Sequence, residues 1–134
     1  MSGEFSIGDL ARRGGVSIET IRYYERVGLL PQPKRTPSGR RKYDERDHGT
    51  LTFIRKARGL GFPIEDTRAL LKLRNAEDAC ADVKSIALHH LEKIRADMRR
   101  AIEVERMLSE ALSRCAGSGS TSACSVLKVL ESTA

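Results

Sequence analysis

The sequence predicts a mainly α-helical protein, in which a winged helix-turn-helix domain precedes a long coiled-coil helix and a short C-terminal loop. Two short amphipathic segments flank Gly14 and Gly15, as in a helix-turn-helix. The stretch from Ala79 to Arg114 contains neither proline nor glycine. Apolar residues recur along it in alternating steps of four and three, the pattern of a coiled coil. We therefore expect domains at residues 1–75, 76–114 and 115–134.

Charge is unevenly distributed along the 134 residues, whose formal net charge is +6. Residues 1–75 carry 16 Lys/Arg against 9 Asp/Glu (+7), and the remainder carries 8 against 9 (−1). A basic N-terminal part with a neutral tail is typical of a nucleic-acid-binding module that carries a second function.

The sequence has no 18-residue apolar run and no apolar signal region, so we expect a cytoplasmic protein without a membrane partner. It also lacks a nucleophile–base motif and a phosphate loop, so we do not expect an enzyme.

The first two helices are marked by serine caps. Ser6 precedes a helix predicted from Ile7 to Arg13, and Ser17 precedes a second helix that runs to about Arg26. In a helix-turn-helix, the second helix is the one that enters the DNA major groove.

A β-hairpin, or wing, is predicted after Gly28. Three prolines between Pro31 and Pro37 prevent a helix, and Ser38-Gly39 is a turn signal. We expect the tip of the wing to carry three basic residues, Arg40, Arg41 and Lys42.

Two further helices follow the wing. Asp44 or Asp47 is expected to start a third helix that ends near Arg58, and Pro63 suits the first turn of a fourth. The third helix is expected to bury Leu51, Ile54 and Ala57. The apolar face of the fourth is expected to consist of Leu70, Leu71 and Leu73. A short helix from Ser125 to Ser132 is expected to close the chain.

The long predicted helix carries a seam of residues at coiled-coil spacing, with Glu105 as its polar exception. Its members are Ala87, Leu91, Ile94, Met98, Ala101, Glu105, Leu108, Leu112 and Cys115, and the same steps backwards reach Lys84 and Cys80.

Three cysteines, Cys80, Cys115 and Cys124, are the sequence's candidate metal or redox residues. At about 1.5 Å rise per residue, Cys80 and Cys115 are roughly 50 Å apart along one helix. They cannot share a metal ion or form a disulfide within one chain. If the helix pairs antiparallel with a second copy, Cys80 of one chain lies beside Cys115 and Cys124 of the other, giving two three-thiol pockets per dimer. His89 and His90 are expected to be ordinary helix-surface or interface residues.

Residues 7–11, 15–31, 38–43 and 60–62 closely resemble the MerR family of transcription regulators. The resemblance implies a homodimer held by an antiparallel coiled coil, bound to a pseudo-palindromic promoter. It further implies that an effector changes the DNA conformation so that RNA polymerase can use the promoter, which makes the protein an activator.

The same resemblance implies which residues contact DNA. Arg22 and Tyr24 would do so from the second helix, whereas Tyr23 would pack in the core against the wing. The remaining contacts would come from the wing and the third helix: Arg35, Arg40, Arg41 and Arg58. Arginine suits this role because it donates to phosphate oxygens and guanine edges.

The cysteine spacing resembles the metal-sensing branch of the family, with one cysteine at the start of the coiled coil and two flanking the next loop. The implied ligands are Cys80, Cys115 and Cys124. Three thiolates favour Hg(II), with Pb(II) or Cd(II) as alternatives. Zn(II) is less favoured, because a second cysteine beside Cys115 and a loop histidine are missing. A thiol–disulfide switch between Cys115 and Cys124 is the other alternative.

Overall fold

The computed structural model describes residues 3–39, 41–115 and 117–132. Their backbone confirms the mainly α-helical fold, with a helix-turn-helix, a short hairpin and a long helix. Contacts divide the chain into two units between Ile86 and Ala87. The elements are α1 (Ile7–Gly14), α2 (Ile18–Arg26), β1 (Lys34–Arg35), β2 (Arg41–Lys42), α3 (Glu45–Gly59), α4 (Ile64–Leu73), α5 (Cys80–Ser113), a 3₁₀ turn (Thr121–Ala123) and α6 (Ser125–Glu131).

Both predicted serine caps are confirmed. The Ser6 hydroxyl accepts a hydrogen bond from the Asp9 N–H at 3.2 Å, and the Ser17 hydroxyl accepts one from the Thr20 N–H at 3.1 Å. Each bond satisfies an N–H group that has no partner within its helix. Between the two helices, Gly15 adopts φ +66° and ends α1. The turn of the helix-turn-helix is therefore set by local sequence.

Helix α3 begins with a capping box that uses both predicted start residues. The Asp44 carboxylate accepts from the Asp47 N–H at 3.1 Å, and the Asp47 carboxylate accepts from the Asp44 N–H at 3.0 Å. The predicted burial of three α3 residues is also confirmed: Leu51, Ile54 and Ala57.

Helix α4 differs from the prediction at its start and in its buried residue. Pro63 precedes the helix instead of lying in its first turn. Thr67 is the fully buried residue, and its hydroxyl donates to the Pro63 carbonyl at 2.9 Å. That hydrogen bond allows a polar side chain to occupy a core position. The leucines expected on its apolar face, Leu70, Leu71 and Leu73, are half-buried.

The core of the N-terminal unit joins α1, α2, α3 and the segment after β2. An isolated β-bridge attaches the N-terminal segment to this core, since Phe5 and Tyr43 exchange two backbone hydrogen bonds of 2.8 Å. The core residues are Phe5, Leu10, Ala11, Ile21, Tyr24, Leu29, Leu30, Tyr43, Leu51 and Ile54.

The wing is an antiparallel hairpin in which Lys34 pairs with Lys42 and Arg35 pairs with Arg41. The prediction that Arg41 and Lys42 lie at its tip is wrong, because both belong to the second strand. The turn lies earlier, where the Gly39 N–H donates to the Thr36 carbonyl at 2.8 Å. The third residue predicted at the tip, Arg40, lies outside the described residues.

The C-terminal unit consists of most of α5 with the 3₁₀ turn and α6, and the closing helix is confirmed. Its seam is exposed, in contrast to the buried core of the N-terminal unit. The exposed large apolar members are Leu91, Ile94, Met98, Leu108 and Leu112. No helix in the described part of the chain is long and apolar enough to cross a membrane.

Replacing Gly15 with alanine is expected to destabilise the protein by about 1–2 kcal/mol, the cost of a left-handed conformation for an L-residue. The added Cβ would also lie 3.1 Å from a guanidinium nitrogen of Arg55. Gly8→Ala is the matched control, because its Cβ would meet only the Ser6 hydroxyl at 3.7 Å, within a helix. Urea unfolding should show a loss for Gly15→Ala and no loss for Gly8→Ala; equal midpoints would contradict the assignment.

Candidate nucleic-acid interface and thiol site

Helix α2 has one buried face and one exposed face. Ile21, Tyr24 and Glu25 are buried at helical spacing. The exposed face carries residues suited to contact nucleic acid: Glu19, Arg22, Tyr23 and Arg26. The helix therefore presents two arginines and an aromatic ring to solvent.

The two adjacent tyrosines occupy the opposite environments from those expected. Tyr24 is 9% exposed and belongs to the core, whereas Tyr23 is 39% exposed. Tyr24 lies three residues after Ile21, on the same face of the helix. The Arg26 guanidinium lies over the Tyr23 ring, 5.7 Å from its centroid. Tyr23 is thus the tyrosine whose ring is available at this surface, whereas Tyr24, expected to contact DNA, lies in the core.

Two of the predicted arginines outside α2, Arg35 and Arg58, are exposed and also hydrogen-bond to backbone carbonyls. Arg35, on β1, donates to the Gly39 carbonyl at 2.9 Å and supports the turn of the wing. Arg58, near the end of α3, donates to the Phe62 carbonyl at 2.8 Å. Both side chains are exposed. Each guanidinium has five N–H groups, so one bond to a carbonyl leaves donors for phosphate.

A buried pair that sequence reasoning missed connects α2 to the wing. The Tyr43 hydroxyl donates to the Glu25 carboxylate at 3.0 Å, and both residues are less than a tenth exposed. Glutamate is rarely buried without a hydrogen-bonding partner. Its partner lies 18 residues away, so no local pattern identifies the pair.

Two arginines that were not predicted hold the backbone on either side of α2. Arg55, on α3, donates to the Gly14 carbonyl at 2.6 Å. Arg68, on α4, donates to the Val27 carbonyl. In each pair the partners are 41 residues apart, which again leaves no local signal.

Two of the three predicted thiols lie together. Cys124 is half-buried at the start of α6, where the Leu127 and Val126 N–H groups donate to its sulfur and lower its pKa. The neighbouring Cys115 thiol lowers the pKa of Cys124 further. The loop between them encloses a cavity of about 390 Å³ that both cysteines line. This arrangement favours a Cys124 thiolate, the form that binds metal.

Cys80 lies elsewhere, as the exposed first residue of α5 in the N-terminal unit. Among the described residues, no three Cys, His, Asp or Glu side chains of one chain are grouped to hold a metal ion. One chain therefore supplies a pair of adjacent thiols. His90, expected at the helix surface or an interface, is buried, whereas His89 is exposed.

Comparison with protein-family models gives two matches. The model of MerR HTH family regulatory proteins matches residues 5–73, and a model described as MerR, DNA binding, matches residues 49–111.

Individual relatives match most of the chain. The mercuric resistance operon regulatory protein of Bacillus cereus is 35% identical, covering 95% of this chain and 97% of its own length. The heavy metal-dependent transcription regulator 2 of Rhizobium meliloti is 39% identical, covering 84% and 77%. The lead(II) complex of the transcription regulator PbrR691 from Ralstonia metallidurans CH34 superposes with a TM-score of 0.81 at 31% identity, covering 94% and 98%.

Leu127→Pro is expected to raise the pKa of Cys124, because it removes the N–H that contributes most to lowering it. Proline is tolerated in the first turn of a helix, so the fold should survive. Leu127→Ala keeps the N–H and serves as the control. The pH dependence of Cys124 alkylation, followed by mass spectrometry of its peptide, measures the shift. At neutral pH the proline variant should react more slowly than the control; equal rates would show that the N–H does not stabilise the thiolate.

Proposed function

This chain belongs to the MerR family of regulatory proteins, and we propose that it is a homodimeric, metal-responsive regulator of transcription. The matching families are DNA-binding regulators, so the chain has a regulatory and not an enzymatic role. The proposal has three parts: a dimer held by α5, a DNA surface on α2 and the wing, and a metal site shared between subunits.

The exposed seam supports the dimer. Large apolar side chains line most of one side of α5 in the C-terminal unit, and burying them is worth about 25 cal/mol per Å². A second copy offers the same heptad spacing, and an antiparallel pairing brings Cys80 of one subunit to the C-terminal end of the other subunit's α5. The coiled coil then sets the distance between the two DNA-binding units.

The exposed face of α2 supports the DNA surface. We place Arg22 and Tyr23 in the major groove or against its phosphates, with Arg35 and Arg41 of the wing and Arg58 beside them. Arg40 belongs to the same set by its position in the wing. Two such units, related by the two-fold axis of a dimer, match a pseudo-palindromic promoter.

The cavity that Cys115 and Cys124 line together is the observation that carries the metal site. Two thiols at one cavity, one of them with a lowered pKa, supply two ligands of a soft-metal site and leave a third position open. We assign that position to Cys80 of the partner. Each dimer would hold two such sites, and each site needs both chains.

Mercury is the ion that we propose as effector. A trigonal set of three thiolates with no fourth protein donor suits Hg(II), and Pb(II) or Cd(II) are the alternatives. Relatives support more than one ion, since one is a mercuric resistance regulator and another was solved with lead(II). Zn(II) is less favoured because tetrahedral coordination requires a fourth ligand.

The activation step follows from the thermodynamic linkage between metal binding and the conformation of the dimer. Thiolates that close around an ion favour the dimer conformation in which all three approach, and this biases a two-state equilibrium. The DNA-binding units are reoriented, and the promoter is bent and untwisted so that RNA polymerase uses it.

A reporter driven by the chain's own operator tests the effector, with Hg(II), Pb(II), Cd(II), Zn(II) and Cu(I) salts compared. We expect at least about fivefold induction, largest for Hg(II). A larger response to another ion would replace mercury, and no response to any salt would refute the proposal.

The same cavity favours a second candidate, a disulfide between Cys115 and Cys124 formed by a cellular peroxide or disulfide oxidant. The two thiols would be oxidised and the oxidant reduced by two electrons. The two mechanisms differ in the role of Cys80 and in their response to a non-thiol phosphine reductant. Induction that persists in the reductant and is lost in Cys80→Ser supports the metal site.

Mixed dimers test whether the site is shared. Cys80→Ser and Cys115→Ser should each abolish induction while operator affinity stays unchanged. When both variants are co-expressed, a heterodimer regains one complete three-thiol site, so partial induction should return. The matched control is the double variant Cys80→Ser/Cys115→Ser, expressed as the only form of the protein. Failure of the mixture to recover any induction would refute a site shared between the two chains.

Arg22→Ala is expected to weaken operator binding both with and without metal. If Arg22 contacts one phosphate, the slope of log K against log salt should become shallower by about 0.9 per subunit. Lys128→Ala, which removes an exposed charge in α6, is the control. Titration at several salt concentrations measures both slopes, and identical slopes for the two variants would remove Arg22 from the interface.

A further inference from the structure

We propose that Arg68 is a positioning residue that couples helix α4 to the end of the DNA-recognition helix α2. Its guanidinium donates to the Val27 carbonyl, and Val27 directly follows the last residue of α2. The inference rests on the proposed function, because it assigns a route by which the metal site affects the DNA surface.

The Arg68 side chain lies next to the backbone that follows α2. The next residue, Gly28, has φ +79°, and a Cβ there would lie 3.9 Å from the Arg68 Nε. Arg68 itself is half-buried. A charge-assisted bond in a partly buried position is stronger than one in water. The side chain therefore fixes the backbone where α2 ends.

The start of α2 is held differently. Arg55 donates to the Gly14 carbonyl from α3, and the Ser17 cap supports the first turn. The bond from α3 therefore holds the last residue of α1, just before the turn that leads to the Ser17 cap, whereas the bond from α4 holds the residue that follows α2. A shift of α4 relative to α3 would move the end of α2 relative to the turn that precedes it.

Helix α4 is also the element connected to the proposed metal ligand. Six residues join it to α5, ending in buried Ala79, and the next residue is Cys80. Within this joint Asp78 has φ +56°, a conformation that is uncommon for residues other than glycine. Movement of Cys80 toward the partner's thiols would therefore act on α4 through a short, tightly turned connection. Arg68 is the side chain that carries this movement to α2.

The test uses the full-length dimer with Arg68→Ala and Arg68→Lys. Lys72→Ala is the matched control, since it removes an exposed positive charge from the same helix. Operators are selected from random DNA with the wild-type protein, and half-site spacing is then changed by one base pair in either direction. Three quantities are measured: affinity for each spacing, the ratio of reporter output with and without Hg(II), and the Hg(II)–thiolate absorbance endpoint.

Loss of the Arg68 bond should reduce affinity for the preferred spacing about tenfold. It should also reduce discrimination between spacings, because a recognition helix held at one end adapts to more than one. The ratio of reporter output with and without Hg(II) should also fall, while the Hg(II)–thiolate absorbance endpoint stays equal to that of the wild type. Arg68→Lys, which keeps the charge and most of the reach, should recover part of both effects. Lys72→Ala should behave as the wild type.

Equal behaviour of Arg68→Ala and Lys72→Ala would overturn the inference. So would an affinity loss that is the same at every spacing, because that is the result of a lost DNA contact or of general destabilisation. If thermal unfolding shows that Arg68→Ala does not fold, Arg68→Gln, whose side chain is too short to reach Val27, takes its place. If the wild type responds to no metal, the proposed function fails, and the spacing measurement still decides the role of Arg68.

Discussion

The hydrogen bond between Tyr43 and Glu25 is the constraint on which the DNA-binding unit depends. It lies in the core, where a carboxylate without a partner would cost several kcal/mol. Glu25 belongs to α2, and Tyr43 joins the wing to the N-terminal segment through its backbone bridge with Phe5. One buried contact therefore fixes three segments that are separate in sequence. The position of α2 relative to the wing is consequently fixed through this pair.

Helix starts and helix lengths that depend on neighbouring residues in the chain were predictable from the sequence. Ser6 and Ser17 cap their helices because a hydroxyl three residues before an N–H satisfies it, whatever the rest of the chain does. The long helix was predicted for a similar reason, since α5 runs without proline or glycine over 34 residues. The capping box also explains why two start residues were proposed for α3, as Asp44 and Asp47 both take part in it.

Features that depend on distant partners were not predictable in this way. Glu25 and Arg68 each bond to a group at least 18 residues away, and neither has a distinguishing neighbour pattern. The reversed environments of Tyr23 and Tyr24 are a different case. Helical spacing from Ile21 already places Tyr24 on the buried face, so a local signal for its burial is present in the sequence. In α4, Thr67 occupies a core position because its hydroxyl donates to a carbonyl one turn back.

The thiols show why the proposed effector site requires a dimer. Cys115 and Cys124 already line one cavity within the C-terminal unit, so two of the proposed ligands are close together before an ion binds. The proposed third ligand, Cys80, is at the other end of a helix whose seam is exposed in the single chain. Metal affinity and helix pairing are therefore linked, because an ion bound by all three thiolates stabilises only the paired state. The free energy available for switching the promoter is then limited to what the third thiolate adds, since the first two bind equally well in either conformation. A regulator built in this way responds to ions that gain strongly from a third sulfur ligand and ignores those that do not.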